Sequence, residues 1–366
     1  MTAFPSRESR DLPQPGTAAS LGERVGATLA RWSRWEFWPA WMVYGLLLPH
    51  FVRLAWRHRS ATVFTAANPG MPLGGFVGES KLDILRSLPA EHTIPAEPIE
   101  PHADIEQRIE CVRRVLDDRG WSFPVVLKPD VGERGKRVFL ARTLEDVRGY
   151  FATGGERTLV QPYDPGPFEV GVFYMRHPAQ AAGRIYSITE KSHPCVVGNG
   201  RDSLERLIWS DPRLRLQAGV LLAALGAATR RVPAAGERVQ LSIVGNHCRG
   251  TLFCDGARLG TAALAAAIDR IATQIPGFCF GRFDIRYANP EAFARGEGFR
   301  IVELNGVLSE STNMYDPKHT LREGLSILRE QWTEAFALGA ANARRGARVA
   351  SARELVRAWR QARRNG

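Results

Sequence analysis

The hydrophobic pattern changes character at Gly120. Beyond it, short apolar runs alternate with Gly and Pro: FPVVLKP (123–129), RVFLA (137–141), TLVQPY (158–163), FEVGVFYM (168–175) and RIYSITE (184–190). Their length and their β-branched and aromatic content predict strands. Helical stretches follow at about 202–209 and 213–230, then strands at RVQLSIVG (238–245) and GTLFCD (250–255). A helix at 260–275 precedes the strands CFGRFDIRY (279–287) and FRIVELNGV (299–307), and helices near 320–342 and 351–363 follow. Ahead of Gly120, ATVFTA (61–66) predicts a short buried strand and 104–119 a helix. Between them the loop ANPGMPLGGFVGES (67–80) leads into a helix from about Lys81 to Leu88. Ser80 with Asp83 three residues on fits a capping-box start to that helix. Residues 1–20, rich in Pro, Ser, Gly and Ala, predict a loose N-terminus.

The stretch RWSRWEFWPAWMVYGLLLPHFVRLAWRHR (31–59) follows none of these periods. Trp32, Trp35, Trp38 and Trp41 crowd its start, and 40–48 is apolar all round, so as a helix it must be buried in protein or lipid. Phe37 to Pro49 is uncharged but short of the roughly 17–25 residues a spanning helix needs, and Pro39 and Pro49 interrupt it. Arg lies on both flanks and gives no orientation signal. Trp and Arg around a short apolar segment suit a helix lying in a membrane interface; a span and a core or partner-binding helix are the competing readings.

At 366 residues the chain can build a substantial core and more than one subdomain. Its five cysteines (Cys111, Cys195, Cys248, Cys254, Cys279) are scattered and form no CxxC pair, which argues for a reducing compartment and against a disulfide frame or structural zinc. No signal-peptide pattern opens the sequence. The net charge of +11 is concentrated at the ends: 343–366 holds eight Arg against Glu354, and 24–59 holds six Arg against Glu36. A nucleic-acid binder would interleave its charge with reading residues on the folded body, and no such motif occurs.

Charge type adds more than charge count. Of 49 basic residues only Lys81, Lys128, Lys136, Lys191 and Lys318 are lysines. An ammonium is a compact point charge where a guanidinium is a wide fork, so these mark sites where a fork does not fit. Lys128 ends a predicted strand, and Gly132 and Gly135 form the turn to the next, a hairpin lid whose backbone N–H groups and lysines could grip phosphates. Alone, such a hairpin is more often simply a turn, and no GxxxxGK[ST] occurs, which excludes a P-loop. GRFDIRY puts Arg282 and Asp284 on one face of a strand, and IVELNGV does the same with Glu303 and Asn305. Large apolar residues interleave these charges, so the carboxylates are buried and require a cation or hydrogen bonds. Hard oxygen ligands near phosphate-binding lysines are what magnesium with a nucleotide needs.

In this order the motifs resemble the ATP-grasp superfamily, most closely D-alanine–D-alanine ligase-type carboxylate–amine ligases, over about residues 78–310. ESKLDIL resembles the family's lysine-bearing helix, VVLKPDVGERGKRV its strand and Gly-rich lid, TLVQPYDPGPFEVGV its hinge, and GRFD and ELN its R-x-D and E-x-N signatures. The resemblance implies an α+β fold in which two subdomains grip ATP; ahead of it the expected fold adds a short N-terminal helical segment, read from its own Trp and Arg as membrane-associated. It implies Lys81 and Lys128 as phosphate-binding lysines, with Gly132, Gly135 and Lys136 in the lid. It implies backbone near Val160 and Gln161 against adenine, and Glu169 on the ribose hydroxyls. Lys191 would lie toward the terminal phosphate and Arg282 would face the transferring phosphoryl group. Asp284, Glu303 and Asn305 would hold Mg2+, with Mn2+ able to substitute. Lys136 reads equally as a solvated lid residue, and Lys318 has no such position.

The expected organisation is a basic, Trp-rich segment at 1–60, a short N-terminal α/β lobe at 61–119, an ATP-grasp domain at 120–342 and an Arg-rich helical tail at 343–366. The expected activity is Mg-ATP-dependent activation of a carboxylate as an acyl phosphate for attack by an amine or other nucleophile. An ATP-grasp phosphotransferase on a small or lipid-linked acceptor and a nucleotide-binding membrane adaptor are the alternatives. The expected place is the cytoplasm, peripheral on an anionic inner membrane face, with no nucleic-acid partner. GVLSESTNMYDP stands where the ligases carry a Pro-Gly oxyanion loop, and the N-terminal third is too short for the ligases' preceding domain, so substrate identity does not carry over. Weaker candidates are Asn68, Glu79 and Ser80 before a helix N-terminus, Glu310, Ser311, Thr312, Tyr315 and Asp316 beyond the metal strand, and His247 with Cys248, which read more readily as a turn residue and a buried thiol.

Overall fold

The computed structural model describes residues 20–102, 104–132 and 135–365. The N-terminus expected to be loose lies outside these apart from Ser20, as do Glu133 and Arg134 of the lid turn and the side chain of Cys248. In chain order the helices are α1 (Leu21–Trp32), α2 (Ala40–Arg57), α3 (Lys81–Arg86), α4 (Ile105–Arg119), α5 (Leu144–Phe151), α6 (Leu204–Ser210), α7 (Ala218–Leu225), α8 (Ala262–Gln274), α9 (Pro290–Ala294), α10 (Leu321–Arg344) and α11 (Ala352–Asn365). The strands are β1 (Glu97–Ile99), β2 (Val125–Pro129), β3 (Phe139–Ala141), β4 (Thr158–Pro162), β5 (Phe168–Met175), β6 (Arg184–Ser192), β7 (Cys195–Val197), β8 (Arg238–Gln240), β9 (Leu252–Asp255), β10 (Phe280–Tyr287) and β11 (Phe299–Asn305).

The chain divides into two compact units. One takes the residues through Phe37 with His193–Ile243 and Cys248–Gly250; the other takes Trp38–Ser192, Val244–His247 and Thr251–Gly366. The stretch expected as one N-terminal segment is therefore shared, with α1 in the first unit and α2 in the second. In the first unit the antiparallel pair β7–β8 and helices α6 and α7 enclose Val196, Leu204, Ile208, Leu214, Leu221 and Leu241. Its α1 opens with a full capping box between Ser20 and Glu23, and buried Glu36 accepts both Arg213 Nη groups at 3.1 Å.

The second unit contains two antiparallel sheets. The smaller has the order β1-β4-β2-β3, and α4 and α5 cover one face. Period two along β2 sends Val125 and Leu127 into that covered core, so Lys128 points to the opposite face. The larger has the order β11-β10-β5-β6-β9. On one face Val170, Val172, Tyr174, Phe283, Ile285 and Ile301 pack against Leu264, Ile268 and Ile271 of α8. On the other, Phe173, Met175 and Phe280 pack under α10 through Trp332 and Phe336, and α2 joins them through Leu54. What remains of that second face is polar, and it holds the site.

Three local expectations are corrected. ATVFTA is not a strand: Val63–Ala66 is a fully buried 3-10 turn packed on α10, because a short apolar run with turn signals on both sides has no period to distinguish the two. The stretch 213–230 is broken into a 3-10 turn (Leu214–Gln217), α7 and a second 3-10 turn starting at Gly226, whose φ of 53° ends the helix. Of 238–245 only Arg238–Gln240 is strand. Helix α5 had a readable signal that periodicity did not exploit, a reciprocal capping box between Thr143 and Asp146.

The stretch 40–48 of α2 is apolar all round, yet it is not wholly buried. Val43, Leu47 and Leu54 are buried, and Phe51 meets Trp332 edge-on at 5.1 Å. Trp41, Leu48, Val52 and Trp56 on the opposite side are exposed. Among the described residues no helix is long and apolar enough to cross a membrane.

Candidate functional site

On the polar face of the large sheet, strand register aligns alternating charges into one buried chain. Arg286 faces Glu169 across β10–β5, Glu169 faces Lys191 across β5–β6, and Asp284 faces Glu303 across β10–β11. Arg286 donates through Nε and Nη2 to Glu169 Oε2, each at 3.0 Å. Lys191 Nζ bridges Glu169 Oε1 at 3.1 Å and Asp284 Oδ1 at 3.0 Å. Arg282 closes the series, donating Nε to Asp284 Oδ1 at 2.7 Å and Nη2 to Oδ2 at 3.1 Å. Its Nη1 donates to the Glu310 carbonyl at 3.1 Å, and Asn305 Nδ2 approaches Asp284 Oδ2 at 3.4 Å.

Burial alone would lift the Asp284 carboxyl, but Arg282 and Lys191 outweigh it and hold the group below its ordinary range. Burial works against the Arg282 charge in the same way, and Asp284 reverses it, so the guanidinium stays firmly protonated. This mutual compensation lets so many charges remain buried.

A bulge decides which way Glu303 points. Asp284 pairs with Glu303 but the next residue, Ile285, pairs with Ile301, which leaves Val302 as the extra residue of β11. Phe299 and Ile301 face the core before the bulge and Leu304 does so after it. The inserted residue thus swings Glu303 and Asn305 onto the polar face beside Asp284 and Arg282.

The small sheet supplies the lysines. Lys128 is buried and donates Nζ to Gln161 Oε1 at 2.9 Å. Burial lowers its pKa to about 8, and Glu303 is the strongest charge acting on it, ahead of Lys81, Asp130 and Arg286. The lysine of one sheet thus feels the carboxylate of the other without forming an ion pair with it. Lys81 Nζ donates to the Gly132 carbonyl in the lid turn. Asp130, directly after β2, ties these parts together: it accepts from Ser80 Oγ at 3.0 Å, Leu82 N at 2.9 Å and Arg157 Nη1 at 2.9 Å. Gly135 has φ 66°, and a Cβ there would lie 2.2 Å from Val244 Cγ1, so the lid turn needs glycine on both counts.

The structure thus brings together Lys81, Lys128, Gly132, Lys191, Arg282, Asp284, Glu303 and Asn305. Other predicted residues sit differently. Val160 is flanked on both sides, by Glu97 and Leu127, and Gln161 by Val126 alone; the Gln161 amide also donates to the Ile94 carbonyl at 2.8 Å. Glu169 is clasped by two cations and covered by Gly245, where a Cβ would stand 1.9 Å from its Oε1. Lys136 and Lys318 are exposed. Asn68 is structural, its side chain joining the Gly74 and Phe280 carbonyls to the Cys279 and Phe280 amides. Ser80 caps α3. Ser311, Thr312 and Asp316 pin their loop through Gln331, Thr189 and the Asp255 amide. Glu310 accepts from Tyr44 at 2.7 Å and Tyr315 at 3.0 Å, and His247 stacks on Tyr315 at 5.1 Å. Glu79 is the exception among the weak candidates: its Oε1 is buried without a hydrogen-bond partner, and burial, with Glu303 adding, pushes it up to about 7 against the pull of Lys81.

Sequence reasoning missed Asp130, Gly171 and Arg286. Arg286 carried a signal, since it shares the two-residue spacing of Arg282 and Asp284. Gly171 carried one too, because a glycine inside a strand marks a close approach.

The donor set fits a hard divalent cation with phosphate. Two carboxylates stand directly opposite one another on neighbouring strands, an arrangement that disfavours itself without a cation. Among the described residues the Glu303 side chain has no hydrogen-bond or ion-pair partner, and no cluster of three or more His, Cys, Asp or Glu side chains could hold a metal alone. Magnesium is commonly held by one or two carboxylates completed by substrate phosphates, which is the composition offered here.

No family model and no curated protein matches the chain. Solved structures similar to it include the D-cycloserine synthetase DcsG, at 14% identity over 85% of this chain and 93% of that one, TM-score 0.41. The D-alanine–D-alanine ligase from Coxiella burnetii aligns at 9% identity over 77% of this chain and 61% of that one, TM-score 0.40. A bifunctional glutathione synthetase from Pasteurella multocida aligns at 13% identity over 69% of this chain but only 35% of its own, TM-score 0.34. Likeness at this level assigns no residue roles; those rest on the geometry.

Proposed function

We propose that the protein is a Mg-ATP-dependent ligase that activates a carboxylate as an acyl phosphate for attack by an amine or other nucleophile. The observation that carries this reading is the buried Arg282–Asp284–Lys191 cluster with Glu303 directly opposite Asp284 on the neighbouring strand. Lys81 and Lys128 bind phosphate oxygens, and Asp284, Glu303 and Asn305 hold the cation. Magnesium, when bound, neutralises charge on the phosphate oxygens. A substrate carboxylate oxygen attacks the γ-phosphorus, the bond to the β-phosphate oxygen breaks and ADP leaves. Arg282 and Lys191 stabilise the charge on the transferring group by fixed position. The nucleophile then attacks the acyl carbon, loses its proton and expels inorganic phosphate. The motif resemblance to carboxylate–amine ligases supports the carboxylate as acceptor.

The test is a screen of carboxylic acids for ADP release with hydroxylamine present. An acyl hydroxamate formed in step with ADP supports the ligase. A stable phosphorylated product overturns it in favour of a phosphotransferase, and ATP binding without turnover across the screen overturns it in favour of an adaptor.

A further inference from the structure

The apolar surface of α2 is divided by the fold into two jobs. Its inner side is committed to the protein core: Val43, Leu47 and Leu54 are buried, Tyr44 donates to Glu310, and a His50 ring nitrogen lies 3.0 Å from the Arg329 carbonyl. Its outer side carries Trp41, Leu48, Val52 and Trp56, exposed by 73%, 61%, 62% and 83%. With Gly45, these recur at three- and four-residue steps and so form one stripe along the helix. At 1.5 Å per residue the two tryptophans stand about 22 Å apart. A stripe with this much large apolar surface in water calls for a partner.

The flanking charges specify that partner. Arg53, Arg57 and Arg59 are exposed beside and beyond the stripe. Leu355 of α11 packs on the same apolar cluster as Leu54 of α2. From α11, Val356 and Trp359 are exposed by 47% and 44%, among exposed Arg353, Arg357 and Arg360. The two helices thus show water the same combination, apolar side chains with a Trp, bordered by arginines and no exposed acid on the stripe. A second copy of the chain would oppose like charge to like. An anionic bilayer complements both parts, with Trp at headgroup depth and each Arg worth about 1 kcal/mol near such a surface. Pro49, on the exposed side, removes the helix hydrogen bond to the Gly45 carbonyl, and that carbonyl is better served by the wet headgroup layer than by hydrocarbon.

We infer that the outer face of α2, assisted by α11, seats the protein in the plane of an anionic membrane surface without crossing it. This inference is independent of the ligase chemistry. Docking leaves the catalytic face close to the bilayer, since Tyr44 from the seated helix holds Glu310, whose carbonyl holds Arg282.

The experiment is flotation of the full chain with phosphatidylcholine vesicles, with and without phosphatidylglycerol, at low and high salt. Trp41→Ser/Trp56→Ser and Arg53→Gln/Arg57→Gln are compared with Arg270→Gln, an exposed change on α8, and melting curves confirm that each variant is folded. Expected are binding to anionic vesicles at low salt, loss at high salt, a drop on the order of tenfold for either double variant, and no change for Arg270→Gln. Failure of the wild type to float with anionic vesicles at low salt overturns the inference. So does concentration-dependent self-association that the tryptophan variant abolishes, which assigns the stripe to a second copy. Resistance to carbonate extraction overturns it in favour of a span.

Discussion

Gly171 and Arg282 cannot both carry side chains in their present positions. Gly171 lies in the middle of β5, across from Asp284, and a Cβ there would stand 2.8 Å from Arg282 Cδ and 3.4 Å from Asp284 Oδ1. The glycine is the floor over which the Arg282 side chain runs to reach Asp284 and the Glu310 carbonyl. Gly171→Ala is therefore expected to lower ADP release by tenfold or more, about 1.4 kcal/mol in the barrier, with a melting temperature close to wild type. Unchanged ADP release in a folded variant would show that Arg282 can shift freely and that its pose does not matter to turnover.

Lys128 is a charge the free protein would rather not bury. Its folded pKa is depressed from 10.5 to about 8 by burial, so its contribution to stability is full above 10.5 and is lost as the pH falls through 8. At pH 7 the ammonium is held at a cost that ATP phosphates would relieve. Lys128→Met should melt no lower than wild type at pH 7 while losing ATP affinity, and Lys128→Arg should lose most turnover because the fork displaces phosphate. Affinity and turnover within twofold of wild type, about 0.4 kcal/mol, would remove Lys128 from the phosphate site.

Glu79 supplies the opposite sign. Burial raises its pKa from 4.5 to about 7, so the folded chain favours the neutral acid, and that stability is full below pH 4.5 and lost as the pH rises through 7. Glu79→Gln should keep up to about 3 kcal/mol that the wild type loses across this window. Urea melts at pH 5 and pH 8, with chelator present, measure it. Parallel pH dependence in both proteins would mean that Glu79 is ionised without penalty.

The two opposed carboxylates should separate by mutation. Asp284 is the shared anion of Arg282 and Lys191, so Asp284→Asn should cost on the order of 3 kcal/mol of stability as well as activity. Glu303 has no such structural duty, and Glu303→Gln should leave the melt nearly unchanged while removing Mg-dependent ADP release. The double variant should lose little more activity than the worse single, since both residues build one site. A fully additive loss would mean that they act separately.

How much of this could be read without coordinates depended on range. The two-residue spacings of Arg282 with Asp284 and Glu303 with Asn305 exposed a polar face on each strand, because strand geometry is local and fixed. The scarcity of lysine singled out Lys81, Lys128 and Lys191, because substitution bias left few positions where an ammonium was kept. Val63–Ala66 is a 3-10 turn where the sequence predicts a strand, since so short a buried run has no period.

By itself, then, the sequence determined most of the strands beyond Gly120 and their order, though not β1 or β7, together with the sharing of faces within each one and the lysines and carboxylates available for chemistry. Only the tertiary structure decided which strands became neighbours, and so that Glu169 would be clasped by Lys191 and Arg286, or that Val302 would be the extra residue that turns Glu303 toward Asp284. It also decided which side of α2 meets the core and which meets the surroundings. A segment that is apolar all round, as 40–48 is, carries no information about its own orientation; Trp332 and Phe336, nearly three hundred residues further along the chain, supply it for α2. These outcomes depend on contacts between segments far apart in sequence, and pairing across that distance is set by packing rather than by any local pattern.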